Sequence, residues 1–211
     1  MSESWIHEVR RRLAAPAPRS GGHDGGNGHA ATAVERRAAA LVPLYVEAGE
    51  LWTLLTTRAA PAGRVAPMAF PGALLAAGED VWPAALRGGS EEGGIASELV
   101  LDLGRLAPVT TPAGVVVVPC VGAVPIPAVD KRRPPEAGSA VVEVVPLPLS
   151  ALAAPQLVES QPVAIGGVEG ELAVYHVGRH RVWGVTARIA GDLLARLGLS
   201  GPMADEALAD R

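Results

Sequence analysis

The chain reads as an α/β protein: a single-domain α/β/α sandwich on a mixed sheet. Three observations predict this. Strand candidates flank one helical stretch near the middle of the sequence, and a second helical stretch follows the last of them. Of the 211 residues, 49% are hydrophobic, enough to bury one good-sized core. Aromatic residues are only 3%, so that core must be made of Ala, Val and Leu, in β-branched strands and small-residue helix contacts.

The elements follow in order. Residues 1–13 contain an amphipathic helix with Trp5, Ile6, Val9 and Leu13 on one stripe. The Arg10-Arg11-Arg12 run falls largely on the opposite face and reads as solvated. Residues 14–33 are rich in Gly, Pro and Ala, cannot bury apolar surface and read as a flexible linker. His23, Asp24 and His29 lie in it without a framework that would make them a metal site. The folded domain is expected over 34–200, with 201–211 as a tail. Residues 38–46 and 51–57 are strand candidates joined through Glu47-Ala48-Gly49-Glu50, a hairpin signal. Asp80 is placed to cap a helix running to about Glu92, with Pro83 in its first turn. Residues 99–105 suggest a short extended segment, 115–118 and 121–124 two buried strand pieces, and 141–145 a strand ended by Pro146 and Pro148. Residues 172–177 and 181–183 suggest a hairpin turning at Gly178. Ile189, Leu193, Leu194 and Leu197 mark a closing helix that stops at Gly198.

Composition excludes several classes. The net charge of −4 offers no basic surplus for nucleic acid. The apolar run 106–129 is interrupted by Pro108, Pro112, Pro119, Pro125 and Pro127, which rules out a spanning helix. The N-terminus lacks the apolar stretch of a signal peptide. The single cysteine, Cys120, sits in an apolar run and reads as a small core residue. A cytoplasmic protein without membrane or nucleic-acid partners is expected. Ser90 is not in a G-x-S-x-G elbow. His176 and His180, beside Arg179 and Arg181, read as a surface turn rather than a phosphate site. Asp130-Lys131-Arg132-Arg133 reads as an exposed loop, with approach to an anionic substrate as its functional alternative.

The stretch that carries chemistry is FPGALLAAGEDVWPAALRGGSEEGGI, residues 70–95. It sets Phe70-Pro71-Gly72 ahead of Glu79, Arg87, Glu91, Glu92, Gly94 and Ile95. Glutamates on one helix side are a means of holding Mg²⁺ or Mn²⁺, hard cations that take carboxylate oxygens. Such ions stabilise charge on phosphoryl oxygens while water attacks. Arg87, one turn before Glu91, is placed to lock its carboxylate.

This stretch resembles a Nudix box, with Ala73 in the place of its first glycine. The resemblance runs from about Arg36 to Leu197 and points to the coenzyme A pyrophosphatase-like branch of the Nudix hydrolases. Leu54-Leu55-Thr56-x-Arg58 resembles the end of that branch's first hairpin. VTTPAGVVVVPCVGAVP and VVEVVPLPLSAL resemble its later strands. Trp183-Gly184-x-Thr186-Ala187 resembles its closing motif. The resemblance implies a Nudix-type α/β/α sandwich that cleaves coenzyme A or a related nucleoside diphosphate derivative with Mg²⁺ or Mn²⁺. It implies Glu91, Glu92 and Glu79 as the metal-holding set, and Glu91, Glu92 and Arg87 as catalytic. It sets Arg58, Arg64 and Phe70 toward the substrate, and leaves a homodimer open as the assembly.

The departures fall on the working positions. Gly88 stands where the family pattern has a metal-ligating glutamate, and Gly89 where it has an apolar residue. Arg64, Ala66 and Pro67 replace a His-x-Gly-Gln segment associated with coenzyme A. No glutamate aligns near Gly138, although Glu136 and Glu143 are close by. Two functions are therefore expected in competition. One is metal-dependent pyrophosphate hydrolysis, with Glu92 or an outside carboxylate activating water. The other is a degenerate domain used for nucleotide binding or protein contact.

Overall fold

The hairpin expected at Glu47–Glu50 organises the molecule. The computed structural model describes residues 4–15, 36–58, 68–125, 141–154, 158–165 and 168–199. Helix α1 (Ser4–Ala14) comes first, followed by β1 (Arg37–Glu47) and β2 (Glu50–Arg58). Ala48 and Gly49 turn the hairpin with φ of 52° and 83°. Positive φ at both central residues gives a turn whose twist matches that of the flanking strands.

The two strands pair only near the turn, from Tyr45↔Trp52 to Glu47↔Glu50. Beyond it they splay, and β3 (Met68–Ala69) and β4 (Gly72–Leu74) fill the split. The first pairs with Thr56 and Thr57 of β2, the second with Ala38–Ala40 of β1. This insertion seats residues 68–74 within the sheet. Helix α2 (Val81–Gly93) and a 3₁₀ turn at Ser97–Leu99 follow. Strands β5 (Leu101–Arg105), β6 (Val109–Thr110) and β7 (Val116–Ala123) continue the sheet, with β7 parallel to β1 from Arg37↔Val116 to Leu44↔Ala123. Strand β8 (Val141–Pro148) lies on the far edge of β2. A short helix, α3 (Leu149–Ala153), leads to a second sheet of β9 (Val158–Ile165), β10 (Val168–Val177) and β11 (His180–Val182). Helix α4 (Gly184–Leu197) is the last described element.

The sandwich shows in the alternation along β1. Ala39 and Leu41 face α2 and pack with Ala84, Ala85, Ile95, Val118 and Cys120. Ala40, Val42 and Leu44 face the other way, into a core that includes Val9, Leu13, Ile189, Leu193 and Leu194. A period of two along a strand with helices on both sides is the α/β/α arrangement expected. Burial pushes the Cys120 thiol up to about 11, in keeping with an inert core residue. Among the described residues no helix is long and apolar enough to cross a membrane.

Several expectations are corrected. The pieces 115–118 and 121–124 are one strand, β7, because Pro119 sits opposite the break between β5 and β6. There its carbonyl accepts from the Leu106 N–H at 3.0 Å and no ladder partner needs the missing N–H. Strand β8 runs through Pro146 and Pro148 instead of ending before them. Two residues apart, the prolines share one edge of the strand, and the edge away from β2 has no partner among the described residues. Asp80 holds the N-cap position of α2 but its side chain makes no capping bond. The arginine run is not uniformly solvated. Arg11 pairs with Glu8 on the surface, whereas Arg10 donates to the Asp102 carbonyl and Arg12 to the Leu197 carbonyl. The short strands β3, β4 and β6, the helix α3 and the strand β9 have no counterpart among the sequence expectations. The rest of the linker beyond Ala15, the Arg64–Pro67 segment, the loop at Asp130–Arg133, Glu136, Gly138 and the tail 201–211 lie outside the described residues.

Candidate functional site

The loop before α2 and the first turns of that helix are tied together by Arg87. Its Nε donates to Glu79 Oε1 at 3.1 Å, and its Nη2 to Glu79 Oε2 at 2.8 Å and to the Leu74 carbonyl at 3.0 Å. Glu79 also accepts from the Ala76 N–H at 2.8 Å. The Arg87 fork holds the Glu79 carboxyl below the usual carboxylate range, with the Ala76 N–H adding to it. The guanidinium is in turn held protonated above its ordinary value, chiefly by Glu79. Glu91, expected to be the carboxylate that Arg87 locks, is only 3.7 Å from its Nη1 and remains 55% exposed. Arg87 therefore acts first as a clamp on the loop.

Glu92 lies one residue further round the helix and is far less open, its side chain 14% exposed. Its Oε1 pairs with Arg58 Nη2 at the end of β2. Its Oε2 accepts the Gly72 N–H at 3.1 Å. Both carboxylate oxygens thus already hold protein donors.

Gly88 explains how the loop comes so near. A Cβ at that position would fall 2.4 Å from the Gly72 carbonyl carbon, 2.5 Å from its Cα and 2.8 Å from the Ala73 nitrogen. Gly72 is itself pressed against β1, where a Cβ would lie 2.5 Å from the Ala39 carbonyl oxygen. Strand, loop and helix stack through two glycines, and the volume a side chain at 88 would need is filled by backbone. Gly89 plays a related part on the sheet side, where a Cβ would meet Leu41 Cδ2 at 2.4 Å.

Beside this stack is an open cleft of about 310 Å³. Ala38–Ala40, Phe70, Gly72–Leu74, Val117, Val185 and Ile189 supply most of its wall, and Arg58 is its one charged lining residue among those described. Phe70 is 5% exposed, a wall more than a free ring. The Thr186 hydroxyl donates to the Met68 carbonyl at 2.9 Å, fixing the start of α4 to β3.

Nudix-type metal chemistry needs converging oxygen donors, and the described residues do not bring such a set together. Among the described residues no group of three or more His, Cys, Asp or Glu could hold a metal ion. Glu79 is bound by Arg87, Glu92 by Arg58 and Gly72, and position 88 cannot admit a carboxylate without moving the loop. Glu143, a candidate to stand in, is held on β8 by Arg179 at 2.7 Å, with His180 at 3.8 Å. His176 likewise faces Glu159, at 2.9 Å. Of the residues expected from sequence, the structure places Arg58, Phe70, Glu79, Arg87, Glu91 and Glu92 along α2 and around the loop that precedes it, and Arg64 lies outside the described residues. The Arg58–Glu92 pair and the Gly72 N–H were not foreseen. Thirty-four residues separate Arg58 from Glu92, and no local pattern links them.

Comparison with known proteins bears on this arrangement. No family model matches the chain. Among solved structures, it is similar to a MutT/nudix family protein from Enterococcus faecalis (19% identity, TM-score 0.49, covering 82% of this chain and 65% of that one). It is also similar to an Ap4A hydrolase of C. elegans in a binary complex (21% identity, TM-score 0.44, covering 55% and 81%). In sequence it is 30% identical over 161 residues to NudL of Photorhabdus laumondii, described as an uncharacterized Nudix hydrolase, spanning 75% of this chain and 83% of that protein. With the Glu79–Arg87 clamp, the helix glutamates and a relative matched over most of both lengths, the chain belongs to the Nudix hydrolase family.

Proposed function

We propose that this chain is a Nudix hydrolase-like protein of impaired activity, whose cleft still recognises a nucleoside diphosphate derivative such as coenzyme A or ADP-ribose. One observation carries the reading. The place of the missing carboxylate at Gly88 is filled by the backbone of Gly72 and Ala73, so the centre is rebuilt around the loss. Nudix hydrolases generally use divalent metals such as Mg²⁺ for pyrophosphate hydrolysis, and among the described residues a donor set for such an ion is not assembled. What the residues present can do is bind. Arg58 offers a guanidinium to an anionic group at the edge of the cleft, and Phe70 with the alanines of β1 accepts an apolar or ring portion. The Glu79–Arg87 clamp holds the loop that shapes the entrance. Glu92 already accepts from Arg58 and from the Gly72 N–H, which leaves it less acceptor capacity for a proton from water.

The engagement of Glu92 also favours a second reading, a Nudix domain that has become a binding or protein-contact module without turnover. Both are tested by one assay. Purified chain is incubated with Mg²⁺ or Mn²⁺ and coenzyme A, NADH, ADP-ribose or nucleoside triphosphates, with turnover and calorimetric binding measured together. Binding of at least one compound with slow turnover is expected for impaired hydrolysis, and binding without turnover for the module. Rapid turnover abolished in Glu92→Gln would overturn both. Absence of binding across the panel would remove the recognition half.

A further inference from the structure

We propose that the Arg58 guanidinium takes the place of a divalent cation at Glu92, so that the site meets an anionic ligand without metal. This rests on the reading that the cleft retains recognition, and goes beyond it by naming what neutralises the ligand. Three observations converge on it. Arg58 leaves the end of β2 and pairs with Glu92, the least exposed carboxylate of α2. The other oxygen of Glu92 is taken by the Gly72 N–H, which fixes the carboxylate against the loop that also fills the space over Gly88. Arg58 at the same time lines the cleft and is its one charged wall residue among those described.

The physics favours replacement over coexistence. A divalent ion bound to Glu92 would stand within a few ångströms of the Arg58 guanidinium, and with position 88 closed to a carboxylate no second charge from that turn of the helix offsets the repulsion. A guanidinium carries five N–H donors in a planar fork, so one arm can hold Glu92 while another meets a phosphate or carboxylate oxygen. It supplies one positive charge where a metal would supply two. The ligand class is then an anion with an apolar or ring body, its charge met by Arg58 and its body by Phe70 and the β1 alanines.

The test is Mn²⁺ binding by the full chain, followed by electron paramagnetic resonance of the free ion, in native protein, Arg58→Gln, Arg58→Lys and Glu92→Gln. Native protein and Arg58→Lys are expected to bind Mn²⁺ no better than Glu92→Gln. Arg58→Gln, which frees Glu92, is expected to bind it about tenfold more tightly or better. ADP-ribose and coenzyme A binding by native protein is expected to persist in EDTA. Tight, Glu92-dependent Mn²⁺ binding by the native chain overturns the assignment, as does failure of Arg58→Gln to gain affinity, or ligand binding that vanishes in EDTA. If neither compound binds while the Mn²⁺ pattern holds, the recognition reading fails and the cation replacement stands.

Discussion

At the scale of the residue, Glu79 shows how a carboxylate expected to serve a metal becomes part of a clamp. Its two oxygens accept from Arg87 and from the Ala76 N–H, which lowers its pKa beneath the ordinary value of 4.5. A carboxyl with a depressed pKa in the folded state contributes stability above its unfolded value, and that contribution is lost as pH falls through the folded one. Glu79→Gln is therefore expected to lower the urea midpoint by a constant amount from neutral pH down to the ordinary glutamate range, the difference closing as the pH falls below it. A difference that stays unchanged in acid would mean that Glu79 acts by shape and not by charge. The residue type and its spacing from Arg87 were legible in the sequence. The choice of Glu79 over Glu91 as the main partner was not, because it depends on the loop folding back until Leu74 and Ala76 reach the helix.

At the scale of the element, Gly88 and Gly89 change meaning. In isolation two glycines weaken a helix by about 1 kcal/mol each relative to alanine. Against the loop and the sheet they are what lets α2 sit so close. Gly88→Ala on an ordinary exposed helix would stabilise by about 1 kcal/mol. Here its Cβ would strike backbone atoms that no rotamer change can move, and overpacking of this kind costs about 1–3 kcal/mol. Urea denaturation should therefore show net destabilisation, and a gain in stability would show that the loop is not seated there. The same contact predicts that Gly88→Glu does not rebuild a metal site. The far end of α2 followed its sequence more simply. Gly94 adopts φ of 64°, its N–H bonding Ser90 and the next N–H bonding Gly89, a helix stop that glycine makes readily.

At the scale of the whole molecule, the N-terminal helix belongs to the main core. Val9 and Leu13 are buried with Leu193, Leu194 and Leu197 of α4. The two helices exchange end caps: Arg12 donates to the Leu197 carbonyl, while Arg196 Nη1 reaches the carbonyls of Leu13 at 3.2 Å and Ala15 at 3.3 Å. Cations over the carbonyl ends of helices satisfy groups that otherwise lack partners. Leu13→Ala is expected to cost about 2–4 kcal/mol and to lower the single global unfolding transition. Loss of α1 alone, with the sheet unfolding at the native midpoint, would contradict that coupling. The amphipathic stripe of this helix was legible, and so was the alternation along β1. Its arginine caps were not, since more than 180 residues separate the partners.

The sequence by itself determined the local periods, the turns and the family likeness. A hairpin at Glu47–Glu50, a helix running to about Glu92 and another stopping at Gly198 follow from residue types and spacing, which report backbone geometry over a few residues. Only the tertiary structure decided what the site contains. The splaying of β1 from β2 admits residues 68–74 into the sheet, which sets Gly72 against Gly88 and brings Arg58 to Glu92. Those contacts join residues far apart in the chain, and their distances depend on how the sheet divides, which no local pattern encodes.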